Sequence, residues 1–178
     1  NETGATEAFF SKVPVPAENI HRMGSSDGGR DLDDAAATYA AELAVFGPAP
    51  TTATGVVSGA WPSFDICFLG VGPDGHIASL FPDRAEIGIT DAAAVPVRDS
   101  PKPPPERITL TRPVINSSKR VWLVVAGADK ASALGLALAG ASYHSVPAAG
   151  AKGRRRTIFF VDESAAQNVP PELIDGSY

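Results

Sequence analysis

Apolar positions along the chain fall into short blocks whose spacing separates helices from strands. Leu32, Ala36, Tyr39, Ala40, Leu43 and Phe46 recur at helical intervals on one face. Asp31, Asp33 and Asp34 supply an N-cap and first-turn acids ahead of that face, and Gly47-Pro48 stops it, which predicts a helix over 31–46. A shorter helix is predicted over 5–10, ended by Pro14 and Pro16. The run at 64–69 is nearly all apolar and too short for a helix, the pattern of a strand buried on both faces. A second such strand is predicted at 121–126.

Further strands are predicted at 94–97, 107–111 and 157–161, and further helices at 113–118 and at 130–139, the latter capped by Asp129. Residues 82–105 otherwise read as loop. Prolines at 101, 103, 104 and 105 make its end stiff and extended and exclude a central strand. Strands separated by helices predict an α/β fold with a mainly parallel sheet flanked by helices. No linker divides the chain, so a single domain over 1–178 is expected.

Composition narrows the function. At 178 residues, with 44% hydrophobic and 20% charged positions, the chain has the make-up of a soluble globular domain. No apolar run approaches the ~20 residues of a membrane helix. A net charge of −5 gives no general attraction to nucleic acid or an anionic membrane, so a phosphate-bearing ligand needs a few well-placed cations. The single cysteine, Cys67, excludes an intrachain disulfide and a zinc–cysteine cluster and fits a reducing, cytoplasmic setting. The polar start, Asn1-Glu2-Thr3-Gly4, has no signal-peptide profile and no initiator Met, as in a processed chain or one whose beginning is missing.

The chemistry concentrates in FDICFLGVGPDGHIASLFP, residues 64–82. Gly70, Gly72 and Gly75 have the spacing of a dinucleotide loop directly after a strand. Asp74 would meet the pyrophosphate, Pro82 cuts the next helix short, and no ribose-binding acid follows about twenty residues on. These features reject the dinucleotide reading. Asp74 and His76, two residues apart in a glycine-rich turn, can instead form a carboxylate–imidazole couple with the histidine as general base. Backbone N–H groups where the loop enters a helix could then hold an oxyanion. The plainer alternative makes Asp74 the cap of that short helix and His76 its first polar residue.

GVGPDGHIASLFP resembles the signature of the 6-phosphogluconolactonase and glucosamine-6-phosphate isomerase/deaminase family. DSPKPPPERITLT (99–111), VWLVVAGADKA (121–131) and FFVDESAA (159–166) resemble the same family in the same order. The resemblance implies an open, Rossmann-like sheet of the NagB type, acting on a small sugar phosphate without metal or cofactor. It makes His76 the general base with Asp74 beside it, and Arg107 and Lys130 the binders of substrate phosphate. Lys130 at a strand-to-helix turn and Arg107 after a stiff segment suit an anion on physical grounds as well. Ser79-Leu80-Phe81-Pro82 stands where deaminases carry a glutamate, which points to lactone hydrolysis rather than isomerisation. The resemblance also implies a further N-terminal portion ahead of Asn1, so the sheet is expected to be incomplete there, and a non-catalytic sugar-phosphate binding domain is the remaining alternative. A monomer or small homo-oligomer is expected.

Other candidates rank lower. His21 and His144 lie in predicted loops with no acid or cysteine at ligand spacing, and the basic run from Lys152 to Arg156 reads as a solvated loop. Ser58, Ser79 and Ser100 lack a nucleophile-elbow context.

Overall fold

The computed structural model describes residues 2–48 and 60–174. Its helices are α1 (Glu2–Ala8), α2 (Leu32–Val45), α3 (Arg112–Ser117), α4 (Ala131–Leu138) and α5 (Glu163–Ala166). Its strands are β1 (Ile66–Gly70), β2 (Ala94–Val97), β3 (Arg107–Leu110), β4 (Arg120–Val125) and β5 (Arg156–Val161). β1, β4 and β5 form a parallel sheet in the order β1-β4-β5, with Leu69 opposite Leu123 and Leu123 opposite Phe159.

The predicted strands at 94–97 and 107–111 do not join that sheet. They pair with each other, antiparallel, as a separate ribbon of β2 and β3 on which α2 packs. Chain length allows this pairing, because the proline loop between them returns the chain instead of crossing over a sheet. Pro96 stands opposite Ile108 in the ribbon, a position a two-stranded edge tolerates.

Cys67, Leu69, Val121, Leu123 and Val125 point to one side of the parallel sheet, where Leu134 and Ala137 of α4 and Ala165 of α5 bury them. A smaller cluster joins Leu43 of α2 to Ala93 and Val114, and α3 bridges the two cores by sending Val114 into one and Ile115 into the other.

Three expectations are corrected. The 64–69 run is not buried on both faces: β1 alternates, with Phe68 66% exposed between Cys67 and Leu69. Among the described residues helices cover one side of the sheet, while on the other side Phe68, Trp122 and Phe160 meet edge to face at 5.2 and 5.3 Å. The helix predicted at 130–139 starts later and is not capped by Asp129, which sits inside the 3-10 turn Ala128–Lys130. No helix follows His76. Residues 71–80 fold back through isolated bridges of Val71 with Ile77 and Ile77 with Leu80, so Asp74 caps no helix and no helical N–H groups are offered there.

Leu123→Ala, in the central strand and fully buried, should lower unfolding free energy in urea by about 2–5 kcal/mol. Phe68→Ala on the open face should cost less than about 1 kcal/mol. Equal losses would contradict the one-sided core.

Candidate active site

β1 ends at Gly70 and the chain bends at once. The Gly72 N–H donates to the His76 carbonyl and the Gly75 N–H to the Gly72 carbonyl, both at 2.9 Å, which closes a tight loop. Two of the three glycines are required by it. A Cβ on Gly72 would lie 2.0 Å from His76 Nδ1 and 2.6 Å from Asp74 Oδ1. Gly75 takes a left-handed φ of +81°, and a Cβ there would meet Val146 at 2.7 Å. Gly70 is different: it belongs to the strand, and a Cβ would meet nothing within 4 Å.

Inside the bend, His76 Nδ1 lies 2.6 Å from Asp74 Oδ1, and the same oxygen accepts the His76 backbone N–H at 3.3 Å. An ionised carboxylate can only accept, so Nδ1 donates and Nε2 is left as the basic nitrogen of the neutral ring. The imidazole packs on Phe81 with ring centroids 4.6 Å apart, and its side chain is 16% exposed. Burial works against the charge of Asp74. The hydrogen bonds from the His76 ring and backbone, with the nearby charges of His76 and Lys102, outweigh it and hold the carboxyl below the usual carboxylate range.

The bend opens into a cavity of about 610 Å³ whose lining includes His76, Arg107, Lys130, Lys102 and Thr109. Gly70 and Gly72 line it too, while Asp74 and Gly75 stand outside the lining. Among the described residues the lining carries three cations and one imidazole, and no carboxylate. In a chain of net charge −5 this is a local reversal of sign, suited to an anionic ligand.

Two of these cations are held by main-chain oxygens. Lys130 Nζ donates to the Val71 carbonyl at 3.0 Å. The Arg107 guanidinium donates to the carbonyls of Lys102, Pro103 and Pro104 at 2.9, 2.9 and 3.1 Å and lies over the Phe81 ring at 5.4 Å. Arg107 therefore shapes the proline loop as well as facing the cavity.

Three residues that matter here were not singled out from the sequence. Lys102 reaches Asp74 Oδ1 at 3.6 Å. Thr109 Oγ1 accepts the Ser79 N–H at 3.0 Å, tying the ribbon to the bend. Asp162 accepts the Gly127 N–H at 3.0 Å and the Ala165 N–H at 2.8 Å, fixing the turn that carries Lys130. An Asp directly before Glu163-Ser164-Ala165-Ala166 is an N-cap signal that could have found Asp162. A lysine between prolines carries no such signal.

The lower-ranked candidates lie elsewhere. His21 does have an acid partner, Glu42 at 2.6 Å, contrary to the local spacing, because α2 brings the acid from 21 positions away. His144 is exposed and stacks on Tyr143. In the basic run Arg154 is bonded to Ser117 and Ser63, while Arg155 and Arg156 are exposed. Ser79 is buried, Ser100 donates to the Lys102 carbonyl, and Ser58 lies outside the described residues. No described helix is long and apolar enough to cross a membrane.

The chain is similar to known proteins over most of its length. A family model described as glucosamine-6-phosphate isomerases/6-phosphogluconolactonase matches residues 1–160. A 6-phosphogluconolactonase of Streptomyces coelicolor is 46% identical over 175 residues, covering 97% of this chain and 65% of the relative. One of Mycobacterium leprae is 44% identical over 172 residues, covering 96% of this chain and 66% of the relative. The chain thus spans about two thirds of the length of the curated relatives it matches. The crystal structure of a 6-phosphogluconolactonase from Leishmania guyanensis superposes with a TM-score of 0.74 at 27% identity, over 96% of this chain and 68% of that one.

The depressed Asp74 carboxyl ties stability to pH. Its contribution is complete above the ordinary carboxylate value of ~3.9 and disappears as the pH falls through the lower value of the folded state. Asp74→Asn should therefore be less stable than the native chain at pH 6, with the gap narrowing steadily toward pH 2 in urea denaturation. A gap that widens on acidification would contradict the couple.

Proposed function

The chain belongs to the glucosamine-6-phosphate isomerase/6-phosphogluconolactonase family, and on that footing we propose that it hydrolyses 6-phospho-D-glucono-1,5-lactone to 6-phosphogluconate, a step of the oxidative pentose phosphate pathway. The observation that carries the proposal is the cavity itself: one imidazole, backed by a carboxylate outside the lining, faces the same space as Arg107 and Lys130, both fixed on main-chain carbonyls. A sugar phosphate offers an anion for the cations at one end and an electrophilic carbonyl for the base at the other.

His76 Nε2 takes a proton from water as that water attacks the lactone carbonyl. Asp74 holds the ring in the required tautomer and stabilises the imidazolium that forms. The imidazolium then returns its proton to the ring oxygen as the C–O bond breaks, leaving a regenerated base and a carboxylic acid whose remaining proton passes to solvent as 6-phosphogluconate forms. Arg107 and Lys130 anchor the phosphate, so that binding energy at the far end of the sugar orients the ester. A lactone is already an activated ester, and one base suffices for its hydrolysis.

Isomerisation with loss of ammonia calls for an additional acid to open the ring and move protons. The described lining holds none, and Ser79, Leu80 and Phe81 are buried where such an acid would stand. That difference favours the lactonase over the isomerase. A cytoplasmic setting completes the proposal, supported by the single cysteine, Cys67, whose thiol is free.

His76→Ala should reduce kcat for the lactone by roughly 10²–10⁴-fold with a smaller change in KM, and Lys130→Ala should mainly raise KM. Both are read with lactone generated in the assay. A near-native kcat in His76→Ala would remove the base assignment, and no hydrolysis by the native chain would favour a sugar-phosphate binding role.

A further inference from the structure

Lys102 is the cavity cation that neither the phosphate nor the base assignment uses. Its ammonium lies 3.6 Å from Asp74 Oδ1, the oxygen that also receives the His76 ring at 2.6 Å. The neighbouring prolines fix φ on either side, which limits the loop before any contact is made. Hydrogen bonds then hold the Lys102 backbone at both ends. Its carbonyl accepts from Ser100 Oγ at 2.8 Å and from Arg107 at 2.9 Å, and its N–H donates to Ser100 Oγ at 3.3 Å. A lysine on a free loop loses much side-chain freedom in reaching an ion pair, and this one starts from a fixed anchor.

We propose that Lys102 is a positioning residue of the His76–Asp74 couple: by sharing Asp74 Oδ1 with the imidazole, it offsets the pull of that carboxylate on the ring proton and leaves Nε2 free to accept a proton from water. A carboxylate alone beside an imidazole favours the imidazolium, which cannot accept a proton from water. A fixed cation on the same oxygen offsets that effect.

The charged groups facing the ring separate Lys102 from its neighbours. Asp74 comes from the bend, Lys102 and Arg107 from the proline loop and the start of β3, and Lys130 from the turn before α4. Arg107 is bound to three carbonyls and Lys130 to the Val71 carbonyl. Of these cations Lys102 is the one that contacts the carboxylate. It is partly exposed, with its side chain 38% accessible, so its field is moderated by water but not removed.

The inference rests on His76 being the base, yet it can be read on the ring directly. The imidazole resonances of His76, identified by their loss in His76→Gln, are followed against pH in the native chain, Lys102→Gln and Lys102→Arg. Loss of the cation should move the His76 midpoint upward, and Lys102→Arg should restore most of it. Lys119→Gln, a cation paired with Asp65 away from the cavity, should leave it in place. The acid limb of kcat/KM should follow the ring. An unmoved midpoint in Lys102→Gln overturns the inference, including the case where KM alone rises and Lys102 is merely another substrate cation. A midpoint that moves while the acid limb stays fixed supports the coupling and instead overturns His76 as the base.

Discussion

The imidazole of His76 and the carboxylate of Asp74 occupy the space that a side chain at position 72 would need. With a Cβ there, at 2.0 Å from the ring nitrogen, the pair could not lie against the backbone of the bend. The geometry of the His76–Asp74 pair follows from this close approach. It lets the chain reverse within a few residues of the end of β1, keeps the ring against Phe81, and turns the nitrogen not bonded to Asp74 into a hydrogen-bond acceptor. Gly75 serves the same bend from the other side, where it takes a left-handed φ and its lack of a side chain leaves room for Val146.

The parallel sheet supplies the rest of the arrangement. Because β1 and β4 run the same way in register, with Gly70 opposite Val124, the bend after one and the turn after the other emerge side by side at their carboxyl ends. That juxtaposition brings Lys130 onto the Val71 carbonyl from 59 residues away. The antiparallel ribbon closes the third side, joined to the bend through Thr109 and the Ser79 N–H, and it presents Arg107 and Lys102. An acidic chain thus builds a cationic cavity by fixing a few side chains on main-chain carbonyls instead of raising its overall charge.

Much of the fold was legible because its signals are local. The Asp31 cap and the helical spacing behind it mark α2 almost to the residue, and the five strands fall within two residues of their apolar runs. Pairing was not legible. Nothing in 94–97 or 107–111 says that these strands turn to each other rather than join the parallel sheet, because a strand's partner is chosen by tertiary packing. One-sided burial of β1 was missed for the same reason: a continuous apolar run does not reveal that Phe68 lies on the open face. At the candidate site the sequence pointed to His76, Asp74, Arg107 and Lys130 through motif and chemistry together. It could not show that the bend leads into no helix, that Gly70 is strand, or that Lys102 reaches Asp74, since each depends on the exact course of the backbone.

Turnover by Gly72→Ala, read together with its structure, probes this arrangement most directly, since it alters no charged or titrating group. If the bend aims the base, the variant folds, the ring and carboxylate separate, and kcat for the lactone falls by about 10²-fold or more, approaching the loss caused by removing the imidazole itself. A folded Gly72→Ala that turns over at the native rate would contradict the account, because the ring's placement would then not matter to the chemistry.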